Sequence, residues 1–334
     1  MRILQLAPLF QPVRPDMEYG GIERVVLMLD RVLTEAGHEV VTIALEGSWL
    51  AGGLVTAAGH EEQVRVALVL APGFDVVQVH RREFLSLGAA SVVRRDFPGT
   101  RVVATLHGAP GPVSRHYGAY GGLASFVFVS RAQASGVPGL AGTVVLNAVA
   151  TGAVPFSPAP ASPPYLAFLG RISPDKGVAE AVGLAGAAGM PLRIAGVVLD
   201  HDRAYFEDVV SPLLRAGQAE LAGPVRDGAK WGLLGGAAGM VLLPNYEDPC
   251  PVAAIESLAA GTPVLTLARG GLPELVDDGV TGLVAADVPA LAARAGELAG
   301  LSRRECRAAA AARFDEGRLA RDYLAVYQGA GAAG

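Results

Sequence analysis

The sequence predicts an α/β protein made of two doubly wound domains that face a central cleft. Three observations lead to this fold class. Short apolar runs alternate with helical stretches, the alternation pauses at a proline-rich segment over residues 150–164, and a second alternating series follows it. Continuous apolar strands separated by helices are typical of parallel sheets that are covered on both faces.

The predicted strands of the first half are short, rich in β-branched residues and bounded by turn residues. They are residues 3–6, 40–44, 76–79, 102–106 and 126–129. Between the first two, a helix is predicted over 22–36, ending before Gly37, because glycine suits the position after a helix end.

The second half repeats this pattern, with strands at 165–169, 192–195, 219–221, 239–243, 264–267 and 282–284. The chain closes on a helical stretch over 303–327, interrupted near 314–317. Ligands of open α/β sheets bind at the carboxyl ends of the strands, so two facing sheets suggest one shared active site.

Composition excludes several function classes. The chain is 51% hydrophobic and 18% charged, with a net charge of −5, so no nucleic-acid partner is expected. Two cysteines make no disulfide framework, and a reducing cytoplasm is the simpler compartment. The first residues read as a strand rather than a signal peptide, and no apolar run is long enough to predict a membrane span.

Arginine is far more frequent than lysine, which we attribute to a GC-rich bacterial genome. Of 27 basic residues only Lys176 and Lys230 are lysines. Six arginines gather in the first half, at 81, 82, 94, 95, 101 and 115. They predict either a solvated, partly paired surface or a patch for an anionic acceptor or a lipid head group.

Two charged motifs of the second half carry the most chemistry. The loop 170–177 contains Arg171 and Lys176, two cations that can neutralise a leaving diphosphate. Asp248 is predicted just before a helix that has Pro251 in its first turn, and Glu256 two turns along it. A helix start favours an anion, so this arrangement fits a ligand with both phosphates and hydroxyls, such as a nucleotide sugar.

Weaker signals follow two strands of the first half. Gly20-Gly21 predicts either a close approach of the backbone to a phosphate or simply a tight turn. His107 ends a strand, where it either faces the site or serves structure, and His80 is expected to line the acceptor side. The dinucleotide fingerprint is absent from the Gly20-Gly21 turn and from every other predicted strand-to-helix turn, and the P-loop motif is absent too.

Two further features of the second half receive structural interpretations. Asp200 and Asp202 formally match an Asp-x-Asp motif in a solvated turn, but we expect no metal site there. Lys230 is predicted to lie on a helix surface, which disfavours a lysine-bound pyridoxal cofactor.

Taken in order, these motifs resemble the retaining nucleotide-sugar glycosyltransferases of glycosyltransferase family four. The resemblance runs over nearly the whole chain and implies the GT-B fold of two Rossmann-like domains. It implies an acceptor-side domain over 1–154, a nucleotide-sugar-binding domain over 155–316, and a final helix over 317–334 that crosses back to the first domain.

The resemblance also implies roles for the donor contacts. Arg171 and Lys176 would hold the donor diphosphate, and the backbone of Gly20 and Gly21 would touch its distal phosphate. Glu256 would accept hydrogen bonds from the ribose.

The remaining implied roles concern the sugar and the base. Asp248 would hold hydroxyls of the transferred sugar, helped by backbone N–H groups of the following turn at Cys250 and Val252. Val225 would present its backbone to the base, and His107 would lie by the sugar.

The chain departs from the family pattern at two of these positions. The family usually has Glu where Asp248 stands, so the adjacent Glu247 is an alternative sugar ligand. It usually has Gly where Pro251 stands, and proline removes one N–H contact.

The expected activity is transfer of a sugar, with retention and without a metal, from a nucleoside diphosphate to an acceptor hydroxyl. We expect no cofactor and take a uridine-type donor as the working assignment. The acceptor would be a small molecule or a glycan, contacted by the loops 16–19, 81–83 and 115–120. A sugar-nucleotide epimerase, a phosphorylase and a catalytically degenerate nucleotide-sugar binder stay open as alternatives.

Overall fold

The computed structural model of the protein describes residues 1–81, 83–110 and 118–329. The chain divides into two compact units, one formed by Met1–Ala148 with Glu316–Gly334 and the other by Val149–Asp315. Each unit is built on one sheet whose neighbouring strands all run parallel. The prediction of two parallel-sheet α/β domains is therefore confirmed.

The sheet of the first unit has the strand order β3-β2-β1-β4-β5-β6-β7. Its strands are β1 (Arg2–Leu6), β2 (Glu39–Ala44), β3 (Gly53–Thr56), β4 (Val76–Val79), β5 (Arg101–Leu106), β6 (Ser125–Phe128) and β7 (Gly142–Val144). The two edge strands β3 and β7 were not predicted, because they are short and only partly buried and carry no continuous apolar run.

The helices that precede β7 connect these strands. They are α1 (Gly21–Glu35), α2 (His60–Leu70), α3 (Glu83–Ser86), α4 (Ala89–Asp96) and α5 (Arg131–Ser135). The most amphipathic connection is α1, whose buried face includes Val25, Leu29 and Leu33. A helix with one apolar stripe packs that stripe on a sheet, and this packing fixes the start of α1 beside the end of β1.

The second unit contains the sheet β10-β9-β8-β11-β12-β13. Its strands are β8 (Leu166–Leu169), β9 (Leu192–Ala195), β10 (Ala219–Gly223), β11 (Gly239–Leu242), β12 (Val264–Leu267) and β13 (Gly282–Ala285). All four residues of each of β8, β11 and β12 are buried, as expected for central strands covered on both faces.

Helices cover both faces of this second sheet. They are α6 (Val178–Ala187), α7 (Arg203–Tyr205), α8 (Ser211–Arg215), α9 (Asp227–Gly236), α10 (Val252–Ala259), α11 (Leu272–Leu275), α12 (Val288–Arg294) and α13 (Arg303–Arg313). A π-helical turn, Phe206–Val210, joins α7 to α8.

The last helix, α14 (Glu316–Gln328), belongs to the first unit and packs on α1 and β5. Its Tyr323 is almost fully buried, and the hydroxyl lies 2.9 Å from Oγ1 of Thr105. The predicted interruption of the closing helical stretch falls between the end of α13 at Arg313 and the start of α14.

Both sheets share one topological feature that matters for function. The chain moves outward in one direction through β1, β2 and β3, and then restarts on the other side of β1 with β4. The second sheet does the same around β8 and β11. Ligands of doubly wound sheets bind at such a reversal, beyond the carboxyl ends of the two central strands.

Candidate active site

The loops after β8 and β11 meet at the reversal point of the second sheet. Gly177, with φ +70°, closes the β8 loop so tightly that a Cβ there would lie 1.8 Å from the carbonyl oxygen of Leu243. The backbone N–H of Asn245 donates to the carbonyl of Asp175 at 2.8 Å. This close approach requires glycine at 177, and it brings the Arg171–Lys176 segment beside the one that carries Asp248.

Lys176, Tyr246 and Asp248 form one connected group in this region. The Lys176 ammonium donates to Oδ2 of Asp248 at 2.8 Å and to the Tyr246 hydroxyl at 2.5 Å. The Tyr246 hydroxyl in turn donates to the same carboxylate oxygen at 2.5 Å. Asp248 is buried, and both ends of this contact are charged, so it is stronger than a neutral hydrogen bond. Tyr246 was not singled out from the sequence, because a lone tyrosine in a loop gives no signal.

Arg171 is held by different partners. Its guanidinium donates to Asp175 at 2.7 Å, and its Nε lies 3.6 Å from Oδ2 of the buried Asp202. The Arg171 cation and a hydrogen bond from Ser173 hold the pKa of Asp175 below its usual value against the opposing effect of burial. Asp202 is therefore part of an arginine-binding cluster, whereas Asp200, whose side chain is 97% exposed, is solvated as expected.

Glu256 is paired with Lys230, which corrects the prediction that Lys230 lies on a helix surface. The Lys230 ammonium is 2.6 Å from Oε1 of Glu256 and 2.9 Å from Asp227, and it lies over the Trp231 ring. Only 4% of the Lys230 side chain and 8% of the Glu256 side chain is exposed. The prediction failed because α9 contains four glycines and shows no clear apolar stripe, so its buried face cannot be read from spacing.

The helix that carries Glu256 is short. α10 begins at Val252, and Pro251 occupies the position before it rather than its first turn. Glu256 therefore lies little more than one turn along the helix, instead of the two turns that were expected. Cys250 is buried, and Val225 is buried in the loop that follows β10.

Glu247 and Asp248 occupy different surroundings although they are adjacent. The exposed Glu247 accepts a hydrogen bond at 2.5 Å from the backbone N–H of Gly270, in the loop after β12. A Cβ at Gly270 would lie 2.4 Å from the carbonyl oxygen of Asp248. Glu247 thus fastens two loops together, whereas Asp248 lies beside the Lys176 ammonium.

In the first unit, Gly20 and Gly21 form the junction between the β1 loop and α1. Gly20 has φ +127°, and a Cβ there would lie 2.4 Å from Nε2 of Gln11 and 2.8 Å from a carboxylate oxygen of Glu23. The backbone angle therefore requires glycine, and a larger residue would also displace the ends of these two side chains. Glu23, which the sequence did not single out, is buried in the first turn of α1, and burial raises the pKa of its carboxyl group.

His107 follows β5 and is only partly buried, whereas His80 follows β4 and is buried. Nε2 of His107 lies 3.0 Å from Nδ1 of His80. Burial and the nearby Arg81 cation lower the pKa of His107 to about 3. His80 is too deeply buried to line an acceptor surface, so that expectation was wrong.

Two of the four described arginines in the first-half cluster form ion pairs with nearby acids. Arg81 contacts Glu83 at 3.0 Å and Arg95 contacts Asp96 at 2.6 Å. Arg82 and Arg115 lie outside the described residues, as do the first three residues of the 115–120 loop. Among the residues that the structure describes, no group of three or more His, Cys, Asp or Glu side chains could hold a metal ion.

The two parallel sheets and their reversal points define a class of fold, the GT-B fold. A family model described as "Glycosyl transferases group 1" matches residues 142–310, about half of the chain. The chain belongs to this family.

Curated relatives match parts of the chain. A D-inositol 3-phosphate glycosyltransferase from Streptomyces griseus is 32% identical over 150 residues, which cover 38% of this chain and 30% of the relative. A glycogen synthase from Mycobacterium tuberculosis is 34% identical over 166 residues, which cover 47% of this chain and 39% of the relative. The chain thus spans well under half the length of these relatives.

Solved structures match the fold over nearly the whole chain. AviGT4, a glycosyltransferase involved in avilamycin A biosynthesis, has a TM-score of 0.72 at 24% identity, covering 98% of this chain and 97% of its own. Anabaena HepE in complex with UDP-glucose has a TM-score of 0.78 at 17% identity, covering 98% and 100%.

Within residues 1–81, 83–110 and 118–329, no helix combines the length and the apolarity needed to cross a bilayer.

Proposed function

We propose that this protein is a retaining glycosyltransferase of family four that transfers a sugar from a nucleoside diphosphate to an acceptor hydroxyl. The observation that carries the proposal is the contact between Lys176 and Asp248 at the reversal point of the second sheet. One cation and one acid, side by side, suit a ligand whose phosphates and sugar hydroxyls lie close together.

In the proposed reaction, negative charge grows on the diphosphate as the glycosidic bond breaks and the sugar becomes oxocarbenium-like. Lys176, Arg171 and the N–H groups at the start of α10 would stabilise that charge electrostatically, so no metal and no cofactor is required. The backbone at Gly20 and Gly21 would contact the distal phosphate. His107 would bind the transferred sugar.

The acids are assigned by their surroundings. We assign the sugar hydroxyls to Asp248 rather than Glu247, because Asp248 lies beside the Lys176 ammonium, whereas Glu247 links its loop to the loop after β12. Glu256 would hold the ribose with the oxygen that Lys230 does not contact. Val225 would meet the base, and the backbone at Cys250 and Val252 would support the sugar.

The solved neighbours support a uridine-type donor, since HepE was solved with UDP and with UDP-glucose. The curated relatives include a D-inositol 3-phosphate glycosyltransferase and a glycogen synthase, and we propose a hydroxyl-rich small molecule or glycan as the acceptor. Because the two cysteines predict no disulfide framework, we keep the cytoplasm as the proposed compartment.

A thermal-shift panel of nucleoside diphosphates and their sugars tests the donor. A ligand at a hundred times its Kd stabilises the fold by about 2.7 kcal/mol, which raises the midpoint of thermal unfolding by a measurable amount. Release of nucleoside diphosphate is then followed with acceptors, in buffer containing EDTA, and NMR of the product gives its anomeric configuration. We expect acceptor-dependent release and a retained configuration. Tight donor binding without transfer to any acceptor would instead identify a binding protein.

A further inference from the structure

We infer that His80 is a positioning residue that fixes which ring nitrogen of His107 carries the hydrogen. The inference follows from a buried chain of hydrogen bonds that crosses four neighbouring strands of the first unit. The chain runs from His107 after β5, to His80 after β4, to Gln5 on β1 and Thr42 on β2, and ends at Asp30 on α1. The part that concerns sugar transfer rests on the proposed function, whereas the proton positions do not.

The Gln5 side chain sets the polarity of this chain. Its Nε2 lies 3.2 Å from the carbonyl oxygen of Val26, an atom that can only accept a hydrogen bond. The amide nitrogen must therefore be on that side, and the amide oxygen faces Nε2 of His80 at 3.1 Å. An amide oxygen also only accepts, so Nε2 of His80 must carry a hydrogen and donate it.

The far end of the chain gives the same polarity independently. The Asp30 carboxylate is fully buried and accepts from the backbone N–H groups of Ala51 and Gly52 at 2.7 and 3.0 Å. The Thr42 hydroxyl donates to Asp30 at 3.2 Å, which leaves its oxygen to accept from Nε2 of Gln5 at 3.2 Å. Every bond thus donates towards Asp30.

The direction of these hydrogen bonds also determines which ring nitrogen of His107 carries the hydrogen. Burial and the neighbouring His107 ring hold the pKa of His80 well below its usual value, so its ring is neutral and Nδ1 has a lone pair. Nε2 of His107 lies 3.0 Å from that lone pair and must donate to it. Since burial also keeps His107 neutral, its Nδ1 is left as a hydrogen-bond acceptor.

This arrangement gives His107 one chemical role. Its Nδ1 accepts a hydrogen bond from a donor such as a carbohydrate hydroxyl and has no proton to give to a leaving group. His80 makes this role permanent at neutral pH, although it is buried and touches no ligand itself. A free neutral histidine exchanges the hydrogen between its two nitrogens, so without His80 the His107 ring would no longer be restricted to one form.

Long-range ¹H–¹⁵N correlation spectra of the full chain, labelled at its histidines, test the inference directly. Signals are assigned by their loss in the variants His80→Leu and His107→Gln. At pH 7 we expect both rings to carry hydrogen on Nε2 alone. Hydrogen on Nδ1 of His107, or a protonated ring at either residue, would overturn the inference whether or not the protein transfers sugar.

Two variants at position 80 separate positioning from packing. Asparagine places a carboxamide oxygen near the position of Nδ1 and can still accept from His107, whereas leucine of similar size cannot. We expect His80→Asn to keep hydrogen on Nε2 of His107 and to keep most of kcat. His80→Leu should give a mixture of both forms and lower kcat by about tenfold or more.

Equal spectra of the His107 ring in the two variants would contradict the inference. If the wild type shows the expected spectrum but no transfer from any donor, only the proposed function fails.

Discussion

The ammonium of Lys230 lies 2.6 Å from a carboxylate oxygen of Glu256, and both side chains are more than nine-tenths buried. The other lysine, Lys176, lies 2.8 Å from Asp248. Each of the two acids that were singled out from the sequence therefore lies beside one of the only two lysines in the chain. Burying a charge is costly unless a partner compensates it, so each lysine allows an acid to be kept inside the fold.

Removing Lys230 should destabilise the protein strongly. Lys230→Met leaves Glu256 as an uncompensated buried charge, which typically costs about 3–5 kcal/mol. The free energy of unfolding, measured by urea denaturation, should fall accordingly. The double variant Lys230→Met/Glu256→Gln removes both charges and should recover much of the loss.

An exposed pair provides the control for this experiment. Arg193 and Glu220 lie 3.2 Å apart on β9 and β10, with 45% and 67% of their side chains exposed. Arg193→Met should cost less than about 1 kcal/mol, because surface pairs contribute little. If Lys230→Met costs no more than this control, Lys230 does not compensate Glu256.

Lys176→Ala should remove most of the turnover, and the chain should still fold but with lower stability, because the buried Asp248 loses the cation beside it. The ammonium is proposed to stabilise charge that develops on the leaving diphosphate, and losing one such contact costs roughly 3 kcal/mol, or about two orders of magnitude in kcat. Steady-state release of nucleoside diphosphate measures the effect, and far-ultraviolet circular dichroism checks the fold. Near-normal turnover in Lys176→Ala would refute the role. Lys176→Arg keeps a cation, so its kcat should lie between those of the wild type and Lys176→Ala.

The roles of Asp248 and Glu256 can be distinguished by comparing the affinity of each variant for the nucleotide sugar with its affinity for the nucleoside diphosphate alone. Asp248→Asn should lower the affinity for the nucleotide sugar by about 10- to 100-fold, because a hydrogen bond to a charged group is lost. It should leave the affinity for the nucleoside diphosphate unchanged or higher, since Lys176 is released for the phosphates.

Glu256→Gln is the matched isosteric change at the proposed ribose contact and should weaken the binding of both ligands. Calorimetric titration of each variant with each ligand then distinguishes a sugar contact from a ribose contact. An equal loss for both ligands in Asp248→Asn would contradict its assignment to the sugar.

Sequence patterns predicted the central strands well, because those strands are buried on both faces and carry unbroken apolar runs. Val76–Val79 and Val264–Leu267 begin and end where the runs do. The edge strand Gly53–Thr56 has no such pattern, since most of its residues are exposed. Motif spacing likewise indicated Lys176 and Asp248, which the structure brings together.

Partners that are distant in the chain could not be predicted in this way. Lys230 reaches Glu256 across two helices, and His80 meets Gln5 only because β1 and β4 are neighbours in the sheet. Such contacts depend on strand order and on which face of a helix is buried. Local spacing around Lys230 or His80 contains neither piece of information.

The buried His80 should make the fold sensitive to acid. In the unfolded chain a histidine takes up a proton near pH 6.5, but in the folded protein the pKa of His80 is well below its usual value. Between these two values the unfolded state binds more protons, so stability rises with pH and is lost on acidification. One such histidine contributes about 1.4 kcal/mol per pH unit below pH 6.5.

Two buried acids act in the opposite direction. Burial raises the pKa of Glu23 and of Asp30, so these groups take up protons in the folded protein before they do in the unfolded chain. The comparison must therefore be made between the wild type and His80→Asn, which share both acids. Urea midpoints measured from pH 7.5 to pH 5 should fall more steeply in the wild type, and parallel curves would show that His80 is not kept neutral by the fold.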